Sequence, residues 1–117
     1  MSKQTHERLC TASARRNATL FAALGDETRL QLLLRLRTGE SQSIKQLTLG
    51  LPITRQAVTK HLRVLENANF VMQKSHGRER RFIARQAAID EAQAALESIG
   101  QQWDEALIRL KNFIEES

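Results

Sequence analysis

From residue 86 to residue 115 the chain has no proline and a single glycine, Gly100. Along this stretch Ile89, Ala92, Leu96, Ile99, Trp103, Ala106, Leu110 and Phe113 alternate at spacings of three and four, backed by Leu107 and Ile114. That period predicts one long helix with an unbroken a/d seam, about 45 Å from end to end at 1.5 Å per residue. What remains of a 117-residue chain makes a small helical core, too small to bury such a stripe. The excess is expected to meet a second copy of itself; the competing reading is a long core helix inside one subunit. Gly100 sits beside the seam and fits either a close approach or a kink.

The rest of the chain divides into short helices. Residues 1–6 are polar, and an Ala- and Arg-rich helix is predicted from Glu7 to about Leu24, apolar in its later turns at Leu20, Phe21 and Leu24. Gly25 ends it, and Asp26 caps a second helix over about 27–37 with Glu27 in its first turn. Leu30, Leu32, Leu33, Leu34 and Leu36 spread apolar side chains around most of that helix, which predicts a central core position. Thr38-Gly39 stops it. Ser41-Gln42-Ser43 reads as an extended link, and Ser43 caps a short helix marked by Ile44, Leu47 and Leu51.

Gly50-Leu51-Pro52 then breaks the chain before the run TRQAVTKHLRVLE, residues 54–66. Ala57, Val58, Leu62 and Leu65 recur at helical spacing, while Arg55, Gln56, Thr59, Lys60 and Arg63 occupy the other face with no carboxylate until Glu66. Thr54 stands at the N-cap. Two short helices around a tight turn, the second opening on long polar side chains, have the plan of a helix-turn-helix. Arg, Gln and Thr suit base edges in a major groove, and Lys suits bases or phosphates. A solvated amphipathic face is the plainer reading of this helix taken alone.

Asn69 is placed to close that helix in the left-handed conformation. Residues 70–74 and 80–84 follow as short strands around the loop Ser75-His76-Gly77-Arg78-Glu79, a hairpin carrying Arg78, Arg80, Arg81 and then Arg85. Charge is divided along the chain. Residues 55–85 have eight Lys and Arg against two Asp and Glu, whereas residues 86–117 have two against seven. A basic middle and an acidic end imply a polyanion at the middle and another task at the end.

The runs LGDETRLQLLLRL, LPITRQAVTKHLRVLENANFV and GRERRF resemble the corresponding segments of ArsR-type winged-helix transcriptional regulators, over about residues 18–86. The resemblance implies a mainly α fold with a small β-hairpin: a single winged helix-turn-helix domain, 1–117, with a DNA-binding core at about 18–86 and a dimerisation helix at about 87–115. It implies a homodimer on double-stranded DNA, paired through the first and last helices. The DNA-binding positions it assigns are Ser43, Lys45, Arg55, Gln56, Thr59, Lys60 and Arg63, with Arg78, Arg80 and Arg81 on the wing. The dimer positions are Leu20, Ile89, Leu96, Ile99, Trp103, Leu107 and Leu110. Metal sensors of this family have a Cys pair on the helix here spanning Ile44–Leu49, or Asp and His ligands on the last helix. This chain has no Cys in the first segment and no His in the second, so no metal or other cofactor is expected.

No phosphate cradle, nucleophile elbow or metal-ligand spacing is present, which argues against an enzyme. His6, His61 and His76 are dispersed, and His61 is expected to pack or to meet phosphate. Arg29, three residues after Asp26, is expected to pair with an acid. The lone Cys10 forms no internal disulfide and reads as incidental rather than redox-active; with no signal-like N-terminus or membrane-length apolar run, it suggests the cytoplasm. The function expected is that of a DNA-binding regulator, more often a repressor in this family. Alternatives are a protein-interaction module and a regulator with a small molecule in the dimer cleft.

Overall fold

A computed structural model describes the chain from residue 3 to residue 116, with side chains from residue 13 onward. The elements run α1 (Lys3–Leu24), α2 (Glu27–Arg35), β1 (Gln42–Ser43), α3 (Ile44–Thr48), α4 (Arg55–Asn67), β2 (Val71–His76), β3 (Glu79–Ala84) and α5 (Gln86–Glu116). Helix α1 thus starts four residues earlier than the sequence predicts. The side chains of His6, Arg8 and Cys10 lie outside the described residues, and with them the reading of Cys10.

One apolar core joins all five helices and the hairpin. Leu20 and Ala23 of α1 meet Leu32 and Leu36, Leu47, Val58, Leu62 and Leu65, Phe70 and Val71, Phe82, and Ala88 and Ala92 of α5. Phe70, Leu20, Leu32, Leu47, Leu62 and Leu65 have no exposed surface. Complete burial of side chains this large contributes about 1.5–3 kcal/mol each.

Two expectations are corrected here. Helix α2 is not enclosed: Leu32 and Leu36 are buried, but Leu30 and Leu34 face solvent, 45% and 57% exposed. Nine residues on the edge of the core bury one stripe, however many leucines they hold. Leu20, assigned to a dimer interface, is wholly inside the core of its own chain and has no surface to offer a partner.

The hairpin pairs β2 with β3 from Val71↔Ala84 to His76↔Glu79, which leaves a two-residue turn, Gly77-Arg78, instead of the five-residue loop the sequence suggests. Gly77 has φ +64°, the value a type II′ turn requires at its first central position. A third strand, β1, pairs antiparallel with β3 through Gln42↔Phe82 and Ser43↔Arg81 and ties the segment before α3 to the wing.

Helix α5 is continuous through Gly100, where an added Cβ would meet nothing within 4 Å. Its first three turns lie on the core through Ala88, Ala92 and Ala95, with Ile89 half-buried beside them. Beyond that it leaves the domain. Leu96, Ile99, Trp103, Leu107 and Leu110 are between 38% and 65% exposed, and the molecule is drawn out to 67 × 33 × 22 Å. No helix among the described residues is long and apolar enough to cross a membrane.

Candidate nucleic-acid interface

Local chemistry fixes both helices of the α3–α4 pair. Ser43 and Gln46 form a reciprocal capping box at the start of α3: Ser43 Oγ accepts from the Gln46 N–H (3.1 Å), and Gln46 Oε1 accepts from the Ser43 N–H (2.9 Å). At the other end the Arg35 guanidinium donates to the carbonyls of Leu47 (3.0 Å) and Leu49, placing a cation at the negative end of the helix. Gly50, at φ +77°, turns the chain, and Thr54 Oγ1 accepts from the Ala57 N–H (3.1 Å) to open α4.

Burial of Val58, Leu62 and Leu65 sets the rotation of α4. Arg55, Gln56, Lys60 and Arg63 are consequently exposed and Thr59 half-exposed, spread over an arc of about 140° at 100° per residue. The Thr59 hydroxyl donates to the Arg55 carbonyl (2.8 Å), which leaves its oxygen free to accept. Glu66, the first acid of this helix, is drawn off toward the wing, where Gln73 Nε2 donates to it at 3.3 Å. The helix ends on a Schellman motif: Asn69 has φ +65°, its N–H bonds the Glu66 carbonyl (2.9 Å), and the Phe70 N–H bonds the Leu65 carbonyl (2.9 Å).

On the wing the arginines part company. Strand alternation puts Arg80 on the face of Phe82 and Gln73, toward α4, and Arg81 on the opposite face with Lys74 across from it. Arg81 Nε is held by Glu79 Oε1 at 2.8 Å, so part of its charge is neutralised. Arg78 stands exposed at the turn. Lys45 is exposed on α3. Ser43 is not available: it is 7% exposed and its oxygen is committed to the cap, which corrects its assignment to a DNA contact. Lys74 was missed, since only the register of the strands brings it beside Arg81.

His61 faces inward from α4. Its Nδ1 accepts from Arg29 Nη1 (3.2 Å) and lies 3.7 Å from Asp26 Oδ2. Arg29 spends its other donors on the carbonyls of Ala23 (2.6 Å) and Ala22 (3.2 Å), so its chief partners are backbone oxygens, not an acid. Asp26 caps α2, and the Arg29 N–H, helped by the nearby Arg29 guanidinium and the Thr28 N–H, holds its carboxyl below the ordinary range. Among the described residues, no group of three His, Cys, Asp or Glu is placed to hold a metal ion.

Comparison with known proteins bears on this geometry. Residues 24–74 match the model of a helix-turn-helix domain family. The HTH-type transcriptional regulator YuzN of Bacillus subtilis (strain 168) is 42% identical over 67 residues, covering 52% of this chain and 73% of that one. An ArsR-like transcriptional regulator from Rhodococcus sp. RHA1 is 38% identical, with a TM-score of 0.76 over 87% of this chain and 95% of its own. The transcriptional repressor BigR from Xylella fastidiosa shares the fold, at 24% identity and a TM-score of 0.58, over 85% of this chain and 96% of its own.

Proposed function

Starting from a chain that belongs to the ArsR-like helix-turn-helix transcriptional regulators, DNA-binding proteins and not enzymes, we propose that it acts in the cytoplasm as a homodimeric repressor at two half-sites of duplex DNA. The observation that carries this reading is the solvent face of α4. Arg55, Gln56, Lys60 and Arg63 stand clear of the core on a helix whose opposite face is buried, and the one acid of the helix, Glu66, lies at its far end, hydrogen-bonded to Gln73.

Laid in a major groove, that face offers donors for guanine from Arg or Lys and a bidentate amide for adenine from Gln56. Arg78 and Arg80 supply wing contacts to phosphate or the minor groove, and Lys45 a phosphate contact from α3. The pairing of subunits is proposed through the overhanging part of α5, at Leu96, Ile99, Trp103, Leu107 and Leu110, with Ile89 at its inner margin. Two copies of this stripe bury one another and bring two α4 helices to a single duplex. Repression is proposed because BigR, of the same fold, is a transcriptional repressor, and a protein lodged on an operator blocks access to it.

Sedimentation of the protein alone and titration of labelled genomic duplexes test the proposal. A dimer that binds selected fragments at about 10⁻⁸ M or tighter at physiological salt is the expected result. A monomer at all concentrations, or a dimer indifferent to duplex DNA, would reject it.

A further inference from the structure

Two polar clasps join α4 to α1, and their spacing matches. At one end Arg16 Nη2 donates to the carbonyl of Ala68, the C-cap of α4, at 3.1 Å. The same guanidinium grips Glu91 of α5 through Nε to Oε1 (2.8 Å) and Nη2 to Oε2 (3.1 Å). At the other end Arg29 holds the Ala22 and Ala23 carbonyls of α1 while donating to His61 of α4. Arg16, Leu20 and Ala23 form one stripe of α1; His61, Leu65 and Ala68 form one stripe of α4. The stripes are matched in opposite order. Both clasps lie seven residues apart on each helix, and the residues between them, Leu20 and Leu65, are wholly buried.

Burial of Val58, Leu62 and Leu65 sets which face of α4 turns inward, but apolar contact is non-directional and leaves the helix's tilt and its position along its axis less closely defined. Charge-assisted hydrogen bonds at both ends of the contact fix those as well. Glu91 extends the Arg16 clasp to α5, so the end of α4 is tied both to α1 and to the helix through which the chain is proposed to pair. The Glu91 carboxylate raises the affinity of the Arg16 guanidinium for its proton, and the guanidinium lowers that of Glu91, in keeping with a formed pair at the partly exposed site.

We infer that Arg16 and Arg29 are positioning residues for DNA recognition: they touch no base, but clamp α4 at two points and so convert the geometry of the dimer into one preferred spacing of half-sites. This rests on the homodimeric DNA-binding reading above. Adding one base pair between half-sites moves the second by about 3.4 Å and turns it by about 35°, which a clamped pair of helices cannot follow.

The test uses a duplex selected from random sequence by the wild-type protein, rebuilt with zero, one or two base pairs inserted or removed between its half-sites. Wild type is expected to lose about tenfold in affinity or more for each single step, approaching the loss of one half-site's contribution. Arg16→Ala is expected to flatten that profile to within about threefold while keeping the same preferred bases in each half-site. Arg16→Lys, whose single ammonium reaches either Glu91 or the Ala68 carbonyl, should fall between, and keeps the test alive if the alanine variant proves unfolded by circular dichroism. A variant profile parallel to wild type, lowered by one factor at every spacing, would assign Arg16 a merely structural role and overturn the inference. Wild-type protein that binds duplex but ignores spacing would overturn it too. Wild-type protein that binds no duplex at all would instead reject the proposed function itself.

Discussion

Helices α4 and α5 each bury one face and leave another uncovered, but what they leave uncovered is opposite in kind. Helix α4 exposes Arg55, Gln56, Lys60 and Arg63, side chains that solvent accepts readily and that a polyanion accepts better. Helix α5, past Ala95, exposes Leu96, Ile99, Trp103, Leu107 and Leu110, which water does not favour at this density along one stripe. An uncovered polar face is intelligible on a monomer; an uncovered apolar stripe continuous with a buried one is intelligible only with something to cover it. The partners proposed for the two faces differ accordingly, duplex DNA for one and a second subunit for the other.

The largest expected effect comes from the apolar side. Trp103→Glu would place a carboxylate next to Asp104 and Glu105 in the seam, and the protein should elute later on gel filtration, increasingly so on dilution. With one half-site per monomer, DNA affinity should fall by about 10²- to 10⁴-fold although no DNA-facing residue has changed. A dimeric variant with normal DNA binding would mean that the stripe has another use. Trp103 is the chain's only tryptophan, so wild-type emission should redden on dilution through the dimer constant.

Within the polar side the contrast sharpens. Gln56→Ala should cost about 1–3 kcal/mol at one base position and leave the others alone, whereas Arg80→Ala should weaken all sequences alike and lower the salt slope by about 1. Arg81→Ala should do less than Arg80→Ala, because Glu79 already pairs with Arg81 and it points from the far face of the wing. Binding profiles in which Gln56→Ala and Arg80→Ala lose uniformly and equally would erase the distinction between helix and wing.

The smallest effect is on stability toward acid. Asp26 and Glu91 both have carboxyls lowered in the fold, by the Arg29 N–H and by Arg16 respectively. Each therefore stabilises the native state above the ordinary carboxylate range near pH ~4, and that contribution is lost as pH falls through the lowered value. Thermal melts should show a modest drop in midpoint between pH ~5 and ~3, reduced in Glu91→Gln.

Much of this fold is local and was legible as such. Thr54 as a cap, the rotation of α4, Asn69 in the left-handed region and α5 to within one residue of its end all follow from spacing and from residues that act on their own neighbours. What stayed hidden is pairing at a distance. Strand β1 is two residues long and exists only because β3 lies beside it. The Arg16 clasp links residues 52 and 75 positions apart, and nothing near Arg16 announces it. The dimer position at Leu20 comes from the family resemblance, and the apolar end Leu20, Phe21 and Leu24 does not show by itself which member the core takes. Ser43 illustrates the converse: its capping role was readable, and that role is what removes it from the surface.

The central claim is that the basic face of α4 meets duplex DNA. The most direct measurement is fluorescence-anisotropy titration of the wild-type protein against a selected duplex from about 50 to 200 mM salt, with Arg55→Ala/Lys60→Ala/Arg63→Ala measured in parallel. Each neutralised phosphate adds about 0.9 to the slope of log affinity against log salt, so wild type should weaken steeply over that range. The triple variant should be folded, dimeric, markedly weaker and flatter in its salt response. No binding by wild type at low salt, or an unchanged affinity and slope in the triple variant, would contradict the account.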